Sequence, residues 1–370
     1  MNKIRIRYCF LYIILIAVLL TASLLTIYTK SSVISENSQL MEQASNKTKQ
    51  CFDAVKEYKL ENNIEIPDYD ILETGMIGYK TRTSITSTEG KLSSKRTSTN
   101  PNWAAVIISY FEKCGLKEND QIGIICSGSF PALNIASVCA AEAYGLDYCL
   151  MISVGSSYYG ANDPNFTNLE IFNLLYSKNL ISKLPDLVSL GGANDIGSDF
   201  RNADEKNNII ERINNSSIQY LYEEDYETNI NKRIDIFSSI VPNMKLLISC
   251  GGSLVAMGKE NEAFLDNGLF KGDSYYNYSK SKNTGLLGYY KSMGVNVASL
   301  VNISYLALSN NIPNDPTIAP VIGIESNCNS YFVIKYKIYI PIIGIVLSFG
   351  LLSCIYIYRK RHKKELVSRK

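Results

Sequence analysis

Two long uncharged apolar runs, one near each end of the 370-residue chain, constrain it more than any other feature. Cys9 to Tyr28 and Ile338 to Tyr358 each match the ~20 residues that a helix needs to cross a bilayer. Lys3, Arg5 and Arg7 precede the first run, and seven cations from Arg359 to Lys370 follow the second. Cationic flanks stay on the cytoplasmic side of a membrane. The expected arrangement is a two-pass protein of the cell membrane, with both termini cytoplasmic and the main domain extracytoplasmic. It divides into an N-terminus (1–8), a first spanning helix (9–28), a stalk or linker (29–75) and an outer α/β domain (76–325). A linker (326–337), a second spanning helix (338–358) and a basic tail (359–370) complete it. The other reading of the first run is a cleaved signal peptide. Its apolar stretch exceeds the usual ~7–15 residues and no clean small-x-small site follows, so a retained anchor is preferred.

Charge divides along the chain. The whole protein has 37 basic and 35 acidic residues. Without the three cations of the first flank, the seven of the tail and Glu365, 27 basic residues face 34 acidic ones. An outer domain of net negative charge is a poor general binder of nucleic acid. The single histidine, His362, lies in the tail, which excludes Ser-His-Asp, Cys-His and histidine–zinc chemistry from the outer domain.

Of nine cysteines, Cys9 and Cys354 fall in the apolar runs. Cys114, Cys126, Cys139, Cys149 and Cys250 sit in apolar patterns, where cysteine behaves as a small buried hydrophobe. There is no CxxC pair to suggest zinc or a redox motif. Cys51 and Cys328 flank the core region and are candidates for pairing outside the cell, which sequence alone leaves open.

Residues 29–75 are polar, with a helical stalk expected over Glu42 to Leu60, and 75–100 read as an extended segment and a polar loop. Asn100-Pro101 is a helix start. Strands are then expected at Gln121–Cys126, Asp147–Val154, Asp186–Leu190, Ile218–Leu221, Lys245–Cys250 and Asn296–Ile303, with helices between them. This alternation predicts an α/β fold, a mostly parallel sheet with helices on both faces.

Four of these strands run into loops rich in glycine and small polar residues. They begin Ser127-Gly128-Ser129-Phe130-Pro131, Gly155-Ser156-Ser157, Gly191-Gly192-Ala193-Asn194-Asp195 and Gly251-Gly252-Ser253. Any one of them is what a tight turn into a helix uses. Four at the carboxyl edge of a sheet point to a shared ligand pocket. None carries GxGxxG or Gly-Lys-Ser/Thr, so no nucleotide cofactor is indicated. Catalysis has three candidates. Ser129 is a nucleophile candidate, with Lys95 the one attractive base. Asp163 and Asp195 sit in matching Ala-Asn-Asp settings, suited to binding a divalent cation, to acid–base work, or to local Asx turns. Asn162 shares the first of these settings, and Asn314-Asp315-Pro316 echoes it. Lys95 and Arg96 read as a clamp for carboxylate or phosphate, or as solvated surface.

The stretches Lys95 to Pro101, Ser127-Gly128-Ser129-Phe130-Pro131-Ala132-Leu133-Asn134-Ile135-Ala136, Gly160-Ala161-Asn162-Asp163-Pro164 and Gly191-Gly192 occur in one order. Together they resemble the bacterial poly-gamma-glutamate system protein family, over roughly Met76 to Pro316. The resemblance implies a part in making, exporting or anchoring a polymer of glutamates joined through side-chain carboxyls. It carries motif positions and no catalytic roles. Ser253 departs from the pattern, since a further glycine is common there. The leading expectation is an accessory component that binds the anionic polymer through the four loops, with the bilayer and other synthase or exporter subunits as partners. A gamma-glutamyl hydrolase or transferase and a small-anion receptor are the alternatives.

Overall fold

A computed structural model describes residues 2–29, 31–259, 268–272, 282–335 and 339–368. Ile338, linker residues 336–337 and the tail cations Arg369 and Lys370 lie outside the described residues. The chain begins with helix α1 (Asn2–Tyr28), strand β1 (Ser31–Ile34) and helix α2 (Ser38–Glu61). Strand β2 (Thr86–Thr88), α3 (Leu92–Ser98) and α4 (Trp103–Lys113) follow. The alternating part runs β3 (Gln121–Cys126), α5 (Pro131–Tyr144), β4 (Asp147–Ser153), β5 (Ser156–Ser157), α6 (Asn168–Ser177) and β6 (Leu187–Ser189). It continues through α7 (Ala203–Asn214), β7 (Gln219–Leu221), α8 (Tyr226–Ile240) and β8 (Met244–Cys250). Last come α9 (Leu254–Met257), β9 (Gly268–Phe270), α10 (Gly285–Ser292), β10 (Asn296–Leu300), α11 (Ile303–Asn310), β11 (Phe332–Lys335) and α12 (Tyr339–Ser368).

The chain forms two units, Met1–Ser35 with Phe332–Lys370, and Glu36–Tyr331. In the first, β1 pairs antiparallel with β11, Ser31 opposite Lys335. Helices α1 and α12 pack on each other, and Gly344 lets them close up: a Cβ there would come within 2.6 Å of Ala22 Cβ. The stretch Tyr339–Ile357 has a mean hydropathy of 2.4 and is long and apolar enough to cross a membrane. Tyr12–Tyr28 is a shorter apolar stretch.

The second unit is built on a seven-stranded sheet of order β7-β6-β4-β3-β8-β10-β9, parallel except for β9 at one edge. Its strands are short and apolar because both faces are covered. Ile125, Cys149, Met151, Leu247 and Val297 meet Ile230 and Phe237 of α8 and Leu286 of α10 in one cluster. Period-two alternation sends Ile124, Leu150 and Ile248 to the opposite face, toward α5. The α/β expectation therefore holds, with β3 matching its expected bounds residue for residue.

Two expectations are corrected, and the pairing that the sequence left open is answered. The stretch 29–75 is no stalk: Met41, Ala44, Cys51, Phe52 and Val55 form a buried face of α2 that packs on α4 and α5. The folded unit thus begins near Glu36 and not at 76. Cys51 does not pair with Cys328: its Sγ lies 3.8 Å from Cys139 Sγ, and Cys51 and Cys328 are both free thiols. Finally, Asn100-Pro101 does not start α4 directly. Asn100 Oδ1 accepts from the Asn102 amide, and the helix begins at Trp103.

Candidate site where four strand ends meet

Strands β3, β4, β6 and β8 end side by side, so the loops that leave them must share one rim. Between them lies a pocket of about 420 Å³. Of the residues expected there, Ser127, Ser129, Gly155, Gly191, Gly192, Asn194, Asp195 and Gly252 line it. Ser253 of the fourth loop also lines it; Ser87, Thr88, Ser153, Asp199 and Met257 line it and were not expected. Asp199 lies in the same loop as Asp195, which was a usable signal. Ser87 and Thr88 arrive because β2 pairs with β5, a contact invisible in local sequence. A second cavity, about 450 Å³, is bounded mainly by the continuous segment 311–321. It gathers no strand ends.

The loop glycines serve mainly to bring one loop against another. A Cβ on Gly128 would sit 2.6 Å from Val154 O and 2.9 Å from Gly155 O. A Cβ on Gly155 would sit 2.7 Å from the Gly192 amide nitrogen. Buried polar groups complete the lacing. Ser156 Oγ donates to Gly128 O (2.9 Å), Ser127 Oγ to Cys250 O (3.1 Å) and Asn134 Nδ2 to Ser127 O (2.8 Å). Gly128, Ser156 and Gly251 thus support the pocket without lining it. Ser253 Oγ is buried and has no hydrogen-bond partner among the described residues.

Lys95 and Arg96 are not a clamp on this pocket. Lys95 is buried behind the first loop, where Nζ donates to Ser129 O and to Ser157 Oγ (2.8 Å) and lies 3.6 Å from the Phe130 ring centroid. It holds the carbonyl of Ser129, not its hydroxyl, whose oxygen accepts from the Ser157 amide (3.1 Å). The candidate Ser129–Lys95 nucleophile–base pair is therefore not formed. Arg96 is spent on Asp315, with Nε 2.5 Å and Nη2 2.8 Å from its two carboxylate oxygens.

Nor do Asp163 and Asp195 converge. Asp163 makes the Asx turn, accepting from the Asn165 amide (2.9 Å), and takes the Tyr79 hydroxyl (3.2 Å). Asn162 is buried and pairs with both backbone groups of Tyr79, at 2.8 and 3.0 Å. Asp195 sits in the pocket floor with its carboxylate turned to Arg233 (2.6 Å), Ser189 (2.9 Å) and Asn229 (3.1 Å). Asn194 and Asp195 both hold positive φ, 57° and 64°, in a loop whose Gly191, Gly192 and Gly197 do the same. Left-handed non-glycine residues cost energy, so the buried Arg233 pair is what pins this loop. No cluster of three metal-ligating side chains occurs among the described residues.

Burial without a carboxylate partner pulls the Lys95 ammonium down from 10.5 to about 7. Between those values the unfolded chain binds the proton and the folded one does not, so stability rises with pH through that window and is lower below it. From pH 7 to about 8.5, before ordinary thiols ionise, Lys95 contributes a slope of up to about 1.4 kcal/mol per pH unit. Lys95→Met is expected to remove that slope in urea titrations run across the window. An unchanged slope would mean that the amine stays charged when folded.

Comparison with protein-family models, with curated proteins and with solved structures finds no match.

Proposed function

We propose that this chain is a membrane-anchored accessory protein of poly-gamma-glutamate synthesis or export, whose α/β unit lies outside the membrane and holds the polymer in the strand-end pocket. Two spanning helices, both ends cytoplasmic, would carry it. The observation that carries the reading is the convergence of four strand-end loops on one pocket walled by serine hydroxyls and glycine backbone. Support also comes from the apolar helix Tyr339–Ile357, the cationic flanks and the resemblance over roughly Met76 to Pro316. Neutral donors at helix starts and loop amides suit weak, reversible contacts with a chain that must pass on. The enzyme alternative loses its base, because Lys95 faces the wrong oxygen of Ser129.

Titration of the full chain in detergent with gamma-glutamyl oligomers, with product length followed by mass, tests this. Saturable binding with unchanged chain length is expected, and Ser129→Ala should weaken it about tenfold, one lost hydrogen bond to a charged group. Shortened or transferred products that vanish in Ser129→Ala would establish an enzyme instead.

A further inference from the structure

The described walls of the pocket hold two carboxylates and no lysine, arginine or histidine. Asp195 is neutralised by Arg233. Asp199 is not: its Oδ1 accepts from the Ala193 amide (2.8 Å), and it has no ion-pair partner among the described residues. Lys206 of α7 reaches back to this loop and donates to Gly197 O at 3.1 Å. Among the described residues the pocket therefore carries one uncompensated negative charge beside hydroxyls, one of which, Ser253 Oγ, is buried and unpartnered there.

That pattern selects a ligand. Beside Asp199 a carboxylate would be repelled, and the described walls offer it no cation. Calcium takes six to eight oxygen ligands, usually with several carboxylates, and the described residues hold no cluster of three metal-ligating side chains. A primary ammonium fits: a single positive charge with three donors, satisfied by one carboxylate and neighbouring hydroxyls or carbonyls. Also lining the pocket, Ser127 and Ser129 precede the 14-residue helix α5, whose amino end favours an anion.

We propose that the pocket seats an α-amino-acid head group, its ammonium on Asp199 and its carboxylate toward Ser129 and the start of α5. This rests on the polymer reading for the identity of the ligand. In a gamma-linked glutamate chain the one residue with both groups free is the amino-terminal one. The pocket thus grips the chain by its amino end and leaves the remaining carboxylates outside.

The test is calorimetric titration of the full chain in detergent with three probes: a gamma-glutamyl oligomer, its N-acetylated counterpart, and gamma-glutamyl methylamide as the isolated head group. Asp199→Asn is the variant, and its amide oxygen can still accept from Ala193. The free-amine oligomer should bind at least about tenfold tighter than the acetylated one, and Asp199→Asn should erase the difference. Equal affinities, or a preference that survives Asp199→Asn, would overturn the ammonium site while leaving the polymer reading standing. Asp199-dependent binding of the methylamide without binding of either oligomer would support the site and overturn the polymer. Failure of all three probes would overturn both.

Discussion

Arg233→Met is expected to cost the folded unit about 3–5 kcal/mol, because it leaves the Asp195 carboxylate buried without its counter-ion. The two side chains are 1% and 2% exposed. Ser189 and Asn229 can still donate to the carboxylate, but neither supplies charge. The double variant Asp195→Asn/Arg233→Met removes both charges and should recover most of the loss, since exchanging a buried pair for neutral groups is often close to neutral. Asparagine is the partner of choice because it tolerates the left-handed conformation at position 195. Urea unfolding of the singles and the double measures this. A single variant that loses less than about 1 kcal/mol would mean the pair is solvated, as surface pairs are.

Gly128→Ala is expected to destabilise by about 1–3 kcal/mol and to weaken any pocket ligand, because the clash is with backbone that cannot rotate away. Val154 O and Gly155 O would lie 2.6 and 2.9 Å from the new Cβ. The matched control is Gly252→Ala, whose Cβ would meet nothing closer than 4.0 Å. That change should stay within about 0.5 kcal/mol. Equal costs at the two positions would contradict the view that the loops are laced by close backbone approach.

The strands and helices of the alternating region were legible because each is a short apolar run closed by a turn signal. Gln121–Cys126 before Ser-Gly, and Pro131–Tyr144 before Gly145, need no tertiary knowledge. The role of α2 was not legible. Its buried face mixes Ala44, Ser45, Thr48 and Cys51 with Met41 and Val55, a weak amphipathic signal inside a polar region. Strand β9 is three residues long and depends on β10 for its pairing.

The rim of the pocket was legible too, since four glycine loops after four parallel strands must share an edge. The division of labour within it was not. Lys95 and Arg96 look like one basic pair, yet adjacent helical residues point apart, one under the Ser129 loop and one to Asp315. Asp163 and Asp195 share a local motif, yet their partners lie far off in sequence, at Tyr79 and Arg233. Local sequence gives the chemistry a residue can offer. Which partner consumes it is a long-range fact.

Hydrogen–deuterium exchange of the full chain in detergent, with and without a gamma-glutamyl oligomer, tests the central claim most directly. The account predicts slowed exchange confined to the amides of 127–130, 132–133, 155–157, 191–197 and 251–254. Unchanged exchange in those loops, with protection appearing around 311–321 instead, would contradict it.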